Sequence, residues 1–497
     1  METLSVSKLE ENYLYTGCMC GIYGFIFTFC LYKNLSGVTF PVIVAVTIAT
    51  AFMFLKRMGI TVKKNFYIYA AGMMLLGIST PLTMNKFFHF FNWIGIILLF
   101  MSGMIQQVNE QGNWSFQKYM VSILMLAGKT IASVCDPFIH GIRYRKNRVK
   151  KESRYFKPII LGCACAAGLL VIVLPLLVYS DKIFAVFFGR FTGWFRFGAE
   201  LGVILTFLAG YILMYAFLSG ISALNIKEKE NVKQLSLNSV TGITFSGILA
   251  VIYVFYSAIQ ILFLFLRFES GLPESVTYSQ YAHAGFWQLL AVSIINFITV
   301  LICVSIFEEN RILKIILMII SVCTCIMTLS AAYRMILYVR AYHLTFLRVL
   351  VLWFLGVLLL IMLGVMLSII RKKFQLFKYI MVVVAVCYIA LSFAKVDKLT
   401  AQYNVRHWEQ ISEVDMMHLM FSSSLDTAPV VVQAAEKAVG NPEYWDGRLE
   451  QYFQWIQKQD MSLRTWNFSK ASAKEADRKS TRLNSSHIQK SRMPSSA

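Results

Sequence analysis

Charged residues are scarce in this 497-residue sequence. Asp, Glu, Lys and Arg make up 15% of the chain, whereas hydrophobic residues make up 57% and the mean hydropathy is +0.61. The formal net charge of +21 is typical of proteins that bind nucleic acid, but those proteins are soluble and rich in charge. The composition therefore excludes a soluble nucleic-acid binder and predicts a protein that spans a lipid bilayer several times.

Motifs of known catalytic or metal-binding chemistry are also missing. The sequence contains no His-Glu-x-x-His, no Gly-x-Ser-x-Gly and no phosphate-binding loop. Pumps and membrane enzymes usually carry ionisable residues within their spans. Here such residues stand at the ends of apolar runs, as Glu200 and Glu308 do. We therefore predict no catalytic, cofactor-binding or metal-binding residues.

Cysteine is absent after position 387, so a domain at the C-terminus cannot be held together by disulfides. Nine of the ten cysteines lie inside apolar runs, six of them in Cys-x-Cys pairs. Residues i and i+2 of a helix point to nearly opposite faces, so no such pair can chelate a metal ion alone. We expect these cysteines to pack within the membrane.

Apolar windows of about 20 residues, long enough to cross ~30 Å of hydrocarbon, recur eleven times. They lie near 14–32, 37–55, 66–84, 87–105, 158–179, 199–220, 240–266, 286–307, 312–333, 347–370 and 376–394. The acidic N-terminus, METLSVSKLEENY, lacks the basic start of a signal peptide, so we expect the first span to be retained. The predicted fold class is an all-α, polytopic transmembrane helical bundle of about eleven spans.

The distribution of basic residues predicts the orientation. With eleven spans, the loops on the N-terminal side carry 24 Lys and Arg residues and the opposite loops carry 9. Basic loops stay in the cytoplasm. We therefore expect a multi-pass membrane protein with its N-terminus in the cytoplasm and everything after Lys395 outside.

Four regions and a tail follow from this topology. Residues 1–105 hold four spans, and 158–394 hold seven. Between them, 106–157 forms a cytoplasmic loop with an amphipathic helix and a polybasic run, in which 143–157 would bind anionic lipid at about 1 kcal/mol per well-placed basic residue. A simpler interpretation is that this run only fixes the topology.

Residues 395–476 change to the pattern of soluble helices and predict a small helical extracytoplasmic domain. Ser412 stands three residues before Asp415, as in a capping box. A second helix is expected from Asp426, with Pro429 in its first turn, to Gly440, and a third through EYWDGRLEQYFQWIQ.

The last 21 residues, 477–497, break from this pattern. Back-translated, DRKSTRLNSSH can be written as codons that resemble a common short-read sequencing adapter. We expect the natural sequence to stop at or before Ala476, and the tail to have no folded partner.

Two groups of polar residues stand out in the membrane part. The first is expected near the outer face, around the start of the eighth span and the end of the ninth, and consists of Tyr281, His283, Tyr333, Arg334, Tyr338 and Arg340. It fits an aromatic belt with arginines that reach up to water, or a site for an anionic headgroup. The second group is intramembrane and consists of Gln260, Gln288 and Asn296, of which the last two are eight residues apart and are expected to share a helix face with Ser293 close beside it. Hydrogen bonds between helices and a substrate path both remain open for it.

Five short motifs carry a resemblance to a known family. They are Tyr-Ala-x-x-Gly-Phe-x-Gln-Leu at 281–289, Tyr333-Arg-Met-x-Leu-Tyr, Leu344-Thr-x-Leu-Arg, Tyr403-Asn-Val and Leu425-Asp-x-x-Pro429. Over residues 150–440 the chain resembles a bacterial membrane family, domain of unknown function 4173, which is related to domain of unknown function 4153. The resemblance implies a polytopic architecture and no particular activity.

Two functions fit these observations. The first is a non-catalytic envelope protein for sensing or scaffolding, whose outer domain binds an envelope protein or a lipid-linked ligand; the lack of buried charge favours it. The second is a transporter or flippase of lipid-like or anionic substrates. A deep polar cavity around Gln260, Gln288 and Asn296 would favour the second function, and solid packing there would favour the first.

Overall fold

The computed structural model describes most of the chain. Its described residues are 6–108, 116–148, 199–224, 237–262, 278–371, 374–440 and 442–478, with scattered positions between 162 and 187. The helices with described bounds are α1 (Val6–Glu11), α2 (Tyr13–Leu31), α3 (Phe40–Arg57), α4 (Asn65–Ser79), α5 (Lys86–Val108), α6 (Phe116–Ala132), α7 (Asp136–Arg148), α8 (Ala199–Ser222), α9 (Ser239–Gln260), α10 (Tyr278–Ile306), α11 (Arg311–Tyr342), α12 (Phe346–Ile370), α13 (Leu376–Phe393), α14 (Val396–His407), α15 (Glu413–Met417), α16 (Ala428–Ala435), α17 (Pro442–Gln457) and α18 (468–478).

Ten helical stretches in the described part are long and apolar enough to cross a membrane. The prediction of an all-α polytopic bundle is therefore confirmed. The stretches differ from the eleven predicted windows in three places. The window 158–179 lies in a region of which only isolated positions are described. The window 66–84 gives the 15-residue α4, and a new stretch appears at Lys118–Arg145.

The short length of α4 has a local cause. The chain leaves α4 through a 3-10 turn, Thr80–Leu82, which contains Pro81. Proline has no backbone N–H to donate, so it cannot continue the hydrogen-bond ladder of the helix. The hydroxyls of Ser79 and Thr80 instead donate to the Leu76 carbonyl (2.9 and 3.0 Å).

The helix α6, in the new stretch, contacts other helices at their ends. The Tyr119 ring stacks on Phe377, in the first turn of α13, with centroids 4.0 Å apart. Eleven residues later, the Thr130 backbone lies against Gly220, in the last turn of α8. The first turn of α13 and the last turn of α8 lie at the same end of the bundle, so α6 runs across that end. For this segment the sequence predicted an amphipathic helix at the membrane surface.

Residues 396–478, called here the C-terminal unit, form a helical structure with its own core. Tyr452, Phe453 and Ile456 on α17 are buried against Val431 of α16 and Met416 of α15. Ser412 caps α15, since its hydroxyl accepts a hydrogen bond from the Asp415 N–H at 3.2 Å. The chain passes Gly440 with a φ of +119°, which glycine adopts readily, and begins α17 at Pro442.

The start of the proposed tail belongs to α18. Asp477 and Arg478 continue this helix, and the Gln457 amide donates to the Asp477 carboxylate at 2.7 Å. Asp477 therefore has a folded partner, contrary to the expectation for the tail. The remainder of the tail, 479–497, lies outside the described residues.

The C-terminal unit sits on one end of the bundle, called here the capped end, which is formed by the loops 32–39, 80–85 and 343–345. The Asn34 amide donates to the Arg464 carbonyl (2.9 Å), and the Val38 N–H donates to the Trp466 carbonyl (2.9 Å). The Asn467 amide donates to the Ser36 carbonyl (2.8 Å). Backbone groups thus join the two parts of the chain at several points.

Candidate functional site

A cavity of about 650 Å³ lies between the capped end of the bundle and the C-terminal unit. We call it the junction cavity. Its bundle side comes from the start of α5 and the loop 343–345. Its other side comes from α14 and Trp408, from the segment 415–425, and from Trp455 of α17 with Gln459 beyond it. A concave space walled by two structural units is the usual place for a ligand site.

Two buried carboxylates hold the bundle loop 83–85 beside this cavity. Asp426 accepts hydrogen bonds from the Thr83 hydroxyl and from the Met84 N–H (3.3 Å). Asp397, in the first turn of α14, accepts one from the Asn85 amide at 2.9 Å and lines the cavity. The two acids are only 5% and 8% exposed, respectively. No described Lys or Arg lies within ion-pair distance of either carboxylate.

Burial raises the pKa of Asp397 above its ordinary value. The negative charge of Asp426 acts in the same direction, whereas hydrogen bonds from Ser424 and Asn85 act against it. The environment of Asp397 therefore disfavours its charged form, and a titratable group perturbed in this way is a candidate for function.

The loop 343–345 is held in an unusual conformation. His343 has a φ of +63°, a region that residues other than glycine rarely occupy and that costs about 1–3 kcal/mol. Asn404 of α14 fixes the next residue from both sides: its amide donates to the Leu344 carbonyl (2.8 Å) and its oxygen accepts from the Leu344 N–H (2.9 Å). The His343 ring also packs edge-on against Trp408. Several contacts thus maintain a strained backbone at the cavity wall.

Three of the motifs that carried the family resemblance meet at this cavity. Leu344 begins the first of them, Asn404 is the centre of the second, and Asp426 belongs to the third. The three positions are widely separated in sequence, and hydrogen bonds join each of them to the junction between bundle and C-terminal unit.

The structure separates the residues of the predicted outer cluster. Arg334 is 8% exposed and points into the bundle, whereas Arg340 is exposed. These arginines are six positions apart on α11, which places them on different faces of the helix. Tyr338 is half-buried and stacks under the Arg348 guanidinium at 4.2 Å, and Tyr333 is also half-buried. Tyr281 and His283 belong to α10, but their side chains lie outside the described residues.

The predicted intramembrane group is divided as well. The Gln260 oxygen accepts from the Ser330 hydroxyl (2.6 Å) and from the Arg334 guanidinium (3.2 Å), so one member of each predicted group meets here. The Asn296 amide donates to the Thr324 hydroxyl at 3.0 Å, which is a hydrogen bond between helices. Gln288 is exposed. Eight residues advance a helix by about 80° beyond two full turns, so Gln288 does not share the buried face of Asn296.

Sequence reasoning missed both buried acids, Asp397 and Asp426. The sequence did contain a pointer to Asp426, because this residue is the second position of the Leu425-Asp-x-x-Pro429 motif. The signal for Asp397 was weaker: it is the first acid after the last apolar window. Within the described residues, no three His, Cys, Asp or Glu side chains could together hold a metal ion.

One comparison with known proteins gives a match. A family model described as domain of unknown function (DUF4153) matches residues 70–434, from α4 to α16, and so includes all three motifs at the junction cavity. This is the family that the sequence resemblance placed as the relative of domain of unknown function 4173. No curated protein and no solved structure matches the chain.

Proposed function

This chain belongs to the DUF4153 family, a domain of unknown function, and we propose that it is a non-catalytic membrane receptor that binds a small ligand in the junction cavity. The observation that carries the proposal is the position of the cavity. Its walls come from both the bundle and the C-terminal unit, so a ligand there would contact both.

Such a ligand would change how the bundle and the C-terminal unit are arranged relative to each other. Binding can shift a conformational equilibrium only by contacts that differ between two states. A ligand that contacts Asn85 and Phe346 of the bundle together with Asp397 and Trp408 of the C-terminal unit would favour the joined arrangement. The function would then be sensing, and the outer unit would bind an envelope protein or a lipid-linked molecule as a further partner.

We place the protein in a bacterial cytoplasmic membrane, with the C-terminal unit outside. The basic residues Lys56 and Arg57, in the last turn of α3, and Lys63 and Lys64, just before α4, support this orientation, because they lie at the end of the bundle opposite the capped end. On the cytoplasmic side, the basic segment 143–157 would bind anionic lipid; only its first residues are described.

Thiol labelling tests the orientation. In a variant without native cysteines, a thiol at position 57 should react with an impermeant reagent only after permeabilisation, and a thiol at position 415 should react in intact cells. The reverse pattern would contradict the orientation.

A blocked cavity tests the receptor function. Ser422 lines the junction cavity and is exposed, so Ser422→Trp should fill the mouth without disturbing the core. The matched control is Gln451→Trp, at an exposed position of α17 outside the cavity lining. In a deletion strain with an envelope-stress phenotype, the control should restore growth and Ser422→Trp should not, at equal protein abundance. Full complementation by Ser422→Trp would contradict the proposal.

A transporter or flippase of anionic, lipid-like substrates is the second candidate, and Arg334 is the observation in its favour. This arginine is buried within a span, where ionisable residues are costly and usually functional. Its contact with Gln260 is an interhelical hydrogen bond, which favours a packed polar centre over an open path. Uptake of a fluorescent anionic lipid into proteoliposomes, compared with an Arg334→Gln variant, would test this function.

A further inference from the structure

We infer that the ligand of the junction cavity is a small organic cation, with Asp397 as its counter-charge. The inference rests on the proposed function and adds the chemical class of the ligand. Three observations on the cavity carry it: the balance of buried charge, an unused hydroxyl, and the aromatic walls.

The first observation is the balance of buried charge. Asp397 and Asp426 are both buried, and no described Lys or Arg pairs with either of them. The other charged or titratable side chains that line the cavity are Lys86, His343, Asp415 and His418. Lys86 is exposed, so water and salt screen its charge far more than that of Asp397. Because a buried charge requires a partner, this site favours a cation.

The second observation is the hydroxyl of Thr400, one turn after Asp397 on α14. Threonine within a helix often donates to the carbonyl four residues earlier, as Thr28, Thr47 and Thr324 do in this chain. Thr400 is 9% exposed and lines the cavity, but its hydroxyl has no hydrogen-bond partner in the described part of the chain. Residues i and i+3 share a helix face, so a ligand whose cationic group lies against Asp397 can donate an O–H or N–H group to Thr400.

The third observation is the aromatic wall. Tyr342, Phe346, Trp408, Phe421 and Trp455 all line the cavity. Aromatic faces attract ammonium and guanidinium groups through the ring quadrupole. No three His, Cys, Asp or Glu side chains of the described residues could together hold a metal ion here, and the nearby carboxylates disfavour an anion. The combination of acid, hydroxyl and aromatic faces selects an alkylammonium ligand.

Equilibrium dialysis of radiolabelled choline against the full chain in alkyl maltoside micelles, which contain no choline or amine headgroup, tests the inference. We expect saturable binding that ethanolamine or spermidine displaces. The neutral isostere 3,3-dimethylbutan-1-ol should not displace it, because it has the shape of choline without the charge. Absence of saturable binding by all three amines would overturn the inference; the Ser422→Trp growth test would still decide the receptor function separately.

Variants connect the binding to the named residues. Asp397→Asn should weaken choline binding about tenfold or more, as expected for the loss of a charged partner. The matched control Asp446→Asn removes the same charge from an exposed position of α17 and should bind normally. If Asp397→Asn does not fold, Thr400→Val decides, since it removes only the unused hydroxyl and should weaken binding about threefold to tenfold. Normal affinity in a folded Asp397→Asn variant, or in Thr400→Val when that variant decides, would overturn the inference.

Discussion

The bundle exposes many of its large apolar side chains, whereas the C-terminal unit exposes fewer of them. In the bundle, large apolar side chains such as Phe25 and Ile68 are about 70% and 69% exposed, whereas Asn296 is 1% exposed. In the C-terminal unit, Tyr452 and Ile456 are fully buried. The difference teaches that one chain is adapted to two solvents: lipid accepts apolar surface, and water drives it inward.

At the junction, neither pattern holds. Asp397, Asp426 and Asn404 belong to the water-facing unit but are buried, and each holds a backbone or side-chain group of the bundle. Residues that break the burial pattern of the surrounding region are expected at functional sites. The comparison therefore identifies the junction cavity independently of its shape.

The largest expected effect is a loss of unfolding free energy, which a matched pair of isoleucine variants compares between the two regions. Ile456→Ala removes a fully buried side chain from the core of the C-terminal unit and should cost about 2–5 kcal/mol of unfolding free energy. Ile68→Ala changes a side chain that is 69% exposed on the bundle, and it should cost less than about 1 kcal/mol. Thermal unfolding in nanodiscs compares the two variants. Equal costs would mean that Ile68 faces protein rather than lipid.

The next largest effect is expected where Asp426 attaches the C-terminal unit to the bundle. Asp426→Ala leaves the Thr83 hydroxyl and the Met84 N–H without their acceptor, and we expect a loss of about 1–3 kcal/mol. Limited proteolysis should then cleave between α13 and α14 faster than in the parent chain. Asp446→Ala, at an exposed position of α17, serves as the control and should leave the cleavage rate unchanged.

Arg334 tests the buried polar centre of the bundle. Arg334→Lys cannot reproduce the planar guanidinium that donates to Gln260, so we expect a loss of about 1–2 kcal/mol. Arg340→Lys, on the exposed face of the same helix, should be silent. If Arg334→Lys is equally silent in thermal unfolding, the contact with Gln260 contributes nothing to stability.

Asp397 should make stability depend on pH. Its pKa is raised in the native state, so the folded protein binds this proton more tightly than the unfolded chain, and stability falls as pH rises between the two pKa values. Asp397→Asn removes that fall. We expect the variant to melt at a higher temperature than the parent at neutral pH, and the difference to vanish in acid. A difference that grows in acid would contradict the sign.

The sequence was sufficient for features that depend on local composition. Apolar runs predicted the membrane helices because a span requires about 20 apolar residues. The spacing of Ser412 and Asp415 predicted where α15 begins. It was insufficient for features that depend on distant contacts. Asp397 and Asp426 look like ordinary surface acids until α14 and the 3-10 turn at Leu425–Thr427 bring them against loop 83–85. Likewise, Arg334 and Gln260 are 74 residues apart and meet only when α9 packs on α11.

The smallest expected effect concerns Leu463, where the two regions of the comparison meet at the membrane surface. Leu463 is 95% exposed, although it belongs to the unit that buries its apolar side chains. Its neighbour Arg464 donates to the carbonyl of Phe29, a residue of the span α2 that is itself 64% exposed. The contact of Arg464 puts Leu463 near the end of a span, so we expect this side chain at the depth of the lipid headgroups, where an exposed leucine is favourable. A bimane label at position 463 should therefore be quenched by a nitroxide near the headgroup of the lipid. The same label at Val414, 78% exposed on α15, should not be quenched. Equal quenching at both positions would show that the whole unit lies on the bilayer, and quenching at neither would leave the exposure of Leu463 without a role in lipid contact.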